Sequence, residues 1–164
     1  MMNKILAAIL SFLLWIMPWW TGLFNLRERV AFDRDATMTK IADCVKASDV
    51  AALEAMMCPW FKENEPDLTE KLKQFFSAID GEIVSITKGT GEGSHNNGGA
   101  HCESLRFGIY TTDTTYPPDY FLLVWYNVSS PKEGAGISMI NLSSGLSMDP
   151  DYKVHFDIRT PEWQ

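Results

Sequence analysis

Three histidines, three cysteines and a glycine-rich loop are the parts of this chain with reactive potential. His95, His101 and Cys102 lie close together, with His155 and Asp157 farther along. A zinc ion needs three or four N, S or O donors converging at about 2.0–2.3 Å. His95 and His101 fall in a loop and no spacing matches a ligand pattern, so no metal site is expected. Cys102 and His155 are the residue types of a thiolate–imidazole pair for acyl transfer. Neither stands in a nucleophile motif, and a small buried side chain is the expectation for Cys102. Gly89-Thr90-Gly91-Glu92-Gly93-Ser94 has the glycine density of a phosphate loop. Such a loop must open a helix, whose N–H groups hold the phosphate, and the Walker form adds a Lys before Ser or Thr. Here a strand follows and Glu92 stands where a cation is needed. A hairpin connection is predicted, with no nucleotide or other cofactor.

The aromatic set Trp60, Phe107, Tyr110, Trp125 and Tyr126 has two readings. The rings fill a core, or they wall an apolar pocket between helices and sheet. Arg106 and Tyr110 share a strand face that turns away from the helices, and Arg and Tyr are favoured at protein-binding hot spots. The candidate binding residues are therefore Arg106, Tyr110, Trp60, Trp125 and Tyr126, with no catalytic residue among them. Asn127-Val128-Ser129 and Asn141-Leu142-Ser143 match the glycosylation sequon. Both lie inside predicted strands and receive no function.

Positioning these residues falls to a helical half and a strand half. From Ala36, residues Met38, Ile41, Ala42 and Val45 recur at the spacing of one helix face. Ser48-Asp49 reads as the cap of a second short helix carrying Val50, Leu53, Met56 and Met57, which Pro59 ends. Trp60 and Phe61 follow as a hydrophobic plug. Pro66-Asp67 opens a third helix with Leu68, Leu72, Phe75, Phe76 and Ile79 on one side, and Gly81 stops it. Beyond Gly81 the period shifts toward two. Strands are predicted over 82–88, 104–112, 120–129, 136–143 and 153–158, with a glycine-rich loop at 89–99 and a turn at Tyr116-Pro117-Pro118-Asp119. Three helices followed by four or five hairpin-linked strands predict an α+β fold, with helices packed on one face of an antiparallel sheet.

Residues 5–26 carry no charge, between Lys4 and Arg27-Glu28-Arg29. At about 1.5 Å per residue, a helix of that length matches the ~30 Å hydrocarbon core. Trp15, Trp19 and Trp20 fall toward one end, where indoles suit the headgroup region. No small-x-small cleavage site follows, so an uncleaved signal-anchor is favoured over a signal peptide. The predicted organisation is a membrane segment at 1–26, a juxtamembrane linker at 27–35 and one domain at 36–164. The chain carries −7, and removing the +1 of Lys4 leaves −8 on residues 27–164. An acidic domain without a Lys/Arg run is unsuited to nucleic acid. Three cysteines leave at least one thiol free; Cys44 and Cys58 are placed to pair across adjacent helices, or all three stay reduced in the interior.

The run from Asp49 to Met57, then Pro66-Asp67-Leu68, then Phe75 to Ser85 resembles an uncharacterised family of exported bacterial proteins and lipoproteins. Ile109-Tyr110-Thr111-Thr112, Tyr120-Phe121-Leu122, Gly136-Ile137-Ser138 and the ending from Asp157 to Glu162 are similar to its later landmarks. The resemblance covers roughly residues 36–162. It implies a cystatin-like or nuclear-transport-factor-2-like (NTF2-like) cone, a curved sheet wrapped on helices, and it supplies no catalytic residue. The lipid-bearing Cys of many members is missing here, so the apolar segment is the expected anchor. The functional expectation is a non-enzymatic module at the cell membrane, its domain extracytoplasmic, contacting a protein partner at the envelope. The alternative is a pocket that binds, or acts on, a small apolar molecule.

Overall fold

A computed structural model describes residues 32–90, 93–97, 100–113, 116–145, 147 and 150–161. The chain divides into two compact units, residues 1–33 and 34–164, and the fold below is that of the second. The predicted membrane segment at 5–26 lies outside the described residues. Among the described residues no helix is long and apolar enough to cross a membrane.

Four helices precede six strands: α1 (Arg34–Lys46), α2 (Val50–Met56), α3 (Pro59–Asn64), α4 (Leu68–Ser77), β1 (Ser85–Lys88), β2 (Gly93–Asn97), β3 (Ala100–Tyr110), β4 (Tyr120–Ser129), β5 (Gly136–Ser144) and β6 (Lys153–Arg159). The class is α+β, as the period change at Gly81 predicts. All strand pairs are antiparallel, in the order β1-β3-β4-β5-β6, and β2 pairs with β3 beyond β1. β1 and β2 thus share one edge of β3. Register shifts occur near His101/Cys102, Trp125/Tyr126 and Leu142/Ser143, and such bulges bend and twist a sheet.

Two expectations are corrected. The stretch 89–99 is not all loop, because Gly93–Asn97 forms β2 and takes in His95, while His101, expected in the same loop, stands in β3, which begins at Ala100. The Trp60-Phe61 plug is the first turn of a helix, α3. Pro59 does not merely stop α2. It occupies the first position of α3, where a missing N–H costs nothing and a fixed φ favours the helix. Cys44, Cys58 and Cys102 are all free thiols, the last two buried.

The helices lie on one face of the sheet because cross-strand rows of apolar side chains meet them there. Phe107, Leu122, Leu142 and Phe156 stand opposite one another across four strands, and Phe156 packs on Phe75 of α4 with ring centroids 5.5 Å apart. Leu105, Val124, Ile140 and Ile158 form the next row, all buried. Phe61, Leu53, Ile41 and Leu72 fill the helix side with no measurable exposure beyond 1 %. Polar contacts fix α1 across the sheet edge. Arg34 donates to Glu103 Oε2 at 3.2 Å and to the Ser104 carbonyl at 3.0 Å, and Lys88 reaches Asp35 Oδ1 at 2.6 Å.

Candidate functional site

Strand alternation sends the residues between the core rows to the opposite face. Arg106 stands across from Leu123, Leu123 from Asn141, and Asn141 from Asp157, so one row contributes a side chain from each of four strands. The adjacent row holds Gly108, Phe121 and Ser143. A groove of about 410 Å³ lies over these two rows and is predominantly apolar. The β5–β6 connection supplies its remaining wall through Gly145, Ser147 and Tyr152.

Arg106 is the single exposed residue of β3. Among the described residues no hydrogen bond or ion pair engages its guanidinium. Its backbone, by contrast, is fixed. The Gly89 N–H donates to the Arg106 carbonyl at 2.7 Å, and a Cβ on Gly89 would lie 3.0 Å from Arg106 Cβ. A bare backbone is what lets the β1–β2 connection pass so close. Gly108, in the adjacent row, is similarly confined: a Cβ there would lie 2.9 Å from Thr87 Oγ1 and 3.1 Å from the Pro118 ring. At the far end Asn141 donates to Asp157 Oδ1 at 3.1 Å, and Arg159 Nε donates to Asp157 Oδ2 at 2.8 Å. Asp157 is thus already compensated, whereas the Arg106 charge has no ion-pair partner among the described residues.

The other predicted binding residues are distributed around the sheet. Tyr110 shares the strand parity of Arg106 but is only 6 % exposed, at the end of β3 opposite Ser85. Trp125 is half-buried, across from Ser104 and Met139 in the row beside Leu123. Tyr126 stands opposite Glu103. Trp60 packs edge-on to Phe61 at 5.4 Å, and its N–H donates to the Glu133 carbonyl, which places it at the β4–β5 turn. The structure brings none of these four into the groove lining. It adds Phe121, Leu123, Asn141, Ser143 and Tyr152, whose convergence depends on register and on a loop from a distant part of the chain. Alternation within β4 and β5 marks the first four as sharing a face; nothing local marks Tyr152.

The reactive residue types are engaged separately. Cys102 Sγ donates to Asn127 Oδ1 at 3.0 Å, and Asn127 Nδ2 donates to Glu133 Oε2 at 2.9 Å, all three residues being buried. Asn127 is therefore an interior amide, although Ser129 of the same sequon is exposed. Burial raises the Cys58 thiol pKa above its ordinary value, and nearby Glu133 adds to the rise, which disfavours the thiolate form. His101 Nε2 lies 3.0 Å from Glu103 Oε1. His155 Nε2 lies 2.7 Å from Ser144 Oγ and its ring stands edge-on to Tyr120 at 5.3 Å. Cys102 and His155 thus have different partners. Among the described residues no group of His, Cys, Asp and Glu converges as a metal site.

No curated protein matches the chain. Residues 40–148, which run from α1 through β5, match the family model described as "Domain of unknown function (DUF5104)", and the chain belongs to that family.

Proposed function

We propose that this chain is a non-enzymatic binding module that receives a small, largely apolar ligand on the open face of its sheet. The observation that carries this reading is the groove of about 410 Å³ with an apolar floor and a cation beside it, Arg106, that no described residue compensates. That volume lies in the range of small-molecule sites, which combine apolar walls with few polar groups. In this reading residues 5–26 tether the protein to the membrane and the domain faces outward. An antiparallel sheet with its helices on one side also fits a cystatin-like or NTF2-like cone of an exported bacterial protein. The expected ligand lies outside such a cone, on the sheet's other face, because Phe61, Leu72 and Leu105 fill the inner one.

A protein partner at the envelope is the second reading. It is favoured by β6, which pairs only with β5 among the described strands and exposes Val154 at 46 %. Native mass spectrometry of the full-length protein extracted from its membranes separates the two. A small bound mass present in the wild type and lost in Leu123→Arg supports the groove. A stoichiometric protein lost in Val154→Arg but retained in Leu123→Arg moves the function to the β6 edge. Intact protein carrying neither adduct overturns both.

A further inference from the structure

We infer that the groove's ligand is a monocarboxylate: an apolar body lying over Leu123 and Phe121, with its carboxylate held by the Arg106 guanidinium. This deepens the small-ligand reading and rests on it. Exposed arginines are common, but this one interrupts a strand whose other ten residues are buried or half-buried. It stands beside an apolar floor, and among the described residues no counter-ion pairs with it. An apolar ligand alone would leave that charge partly stripped of water with nothing in exchange, and a neutral ligand would select against arginine here. The planar guanidinium presents paired N–H donors whose geometry matches a carboxylate.

Charge limits the ligand further. Residues 27–164 carry −8, so a phosphate or polyanion would meet repulsion from the whole domain with one cation to offset it. A single carboxylate is the anion that one guanidinium balances. Length follows from the register. The groove runs from Arg106 on β3 across Leu123 to Asn141 on β5, two inter-strand spacings or about 10 Å. Its far end offers neutral polar groups, Ser143, Ser147 and the Tyr152 ring, and no second cation lines it among the described residues. The ligand is therefore asymmetric, with an acid at one end and an apolar or weakly polar group at the other.

The test uses the full-length protein in an uncharged detergent, its melting followed with 4-phenylbutyrate, 4-phenylbutanol or inorganic phosphate as probe. The expected result is saturable stabilisation by 4-phenylbutyrate, with about tenfold weaker binding in Arg106→Gln, a factor fitting one charged hydrogen-bonded contact. The alcohol should bind as weakly to the wild type as the acid does to the variant, and phosphate should produce no shift. Because Arg106 is exposed, the unliganded variant should melt within about 1 °C of the wild type. Equal stabilisation by acid and alcohol, both lost in Leu123→Arg, would overturn the carboxylate assignment and leave the apolar groove standing. Stabilisation by the acid that survives both substitutions places binding elsewhere and overturns both. Stabilisation by phosphate, or by no probe, overturns the monocarboxylate class, while the native-mass experiment still judges the groove.

Discussion

Asp119 shows how a single carboxylate organises the β3–β4 connection. Its Oδ2 accepts the Thr111 N–H at 2.7 Å and the Thr112 N–H at 3.2 Å, and the two threonine hydroxyls add to the same oxygen. The Thr111 N–H is the main reason its pKa lies below the ordinary 3.8, although partial burial opposes the shift. A lowered carboxylate pKa adds stability above the unfolded value, and that contribution is lost as pH falls below 3.8 through the folded value. Asp119→Ala should cost about 1–2 kcal/mol in urea denaturation at pH 7 and less at pH 3. His155 acts in a higher window. Burial, then the neighbouring Lys153 charge, lowers its pKa from the ordinary 6.5, so the unfolded chain takes up the proton first. Its contribution is complete above pH 6.5 and declines as pH falls below it. Melting temperature should fall from pH 7.5 to 5.5, and His155→Gln should flatten that slope. At this scale the sequence was informative about Arg106, whose alternation with Leu105 and Phe107 put it on the open face. It was less so for Tyr110, which has the same parity but is buried at the strand's end.

Elements with their own hydrophobic pattern were legible, and those formed by their neighbours were not. β4 begins and ends where its apolar run does, at Tyr120 and Ser129. β2 reads Gly-Ser-His-Asn-Asn and has no strand-forming residue; it exists because β3 extends past β1 and offers an unpaired edge. α3 was hidden by Pro59, a residue that can close one helix and open the next. Phe61 is its buried anchor, so Phe61→Ala should cost about 3–5 kcal/mol on chemical unfolding. The end of α1 makes a separate prediction. Ser48 has φ +51, with its N–H on the Val45 carbonyl at 3.1 Å and the Asp49 N–H on the Cys44 carbonyl at 2.9 Å. This is the helix stop that favours glycine, and a side chain there is strained. Ser48→Gly should raise stability by about 0.5–1 kcal/mol, seen as a melting temperature about 1–3 °C higher.

Across the whole molecule, the two faces of one sheet differ in burial, and neighbouring residues can test the division. Leu122 is 2 % exposed on the helix side, whereas Leu123 is half-buried in the groove. Leu122→Ala should cost about 2–5 kcal/mol, and Leu123→Ser less than about 1 kcal/mol, by urea denaturation. Similar losses would contradict the face assignment. The groove itself was not legible from the chain, because periodicity gives parity but not that Gly145, Ser147 and Tyr152 come to the groove wall. The alternation has a further consequence for descent. Core and groove positions are interleaved along β3, β4 and β5, so on the proposed reading substitutions at the groove positions would change the ligand while the core rows persist. Relatives that keep Leu105, Leu122 and Leu142 in type can diverge freely at positions 106, 123 and 141. Such a family would inherit one scaffold and many ligands, and similarity in its cores would say little about whether two members bind the same molecule.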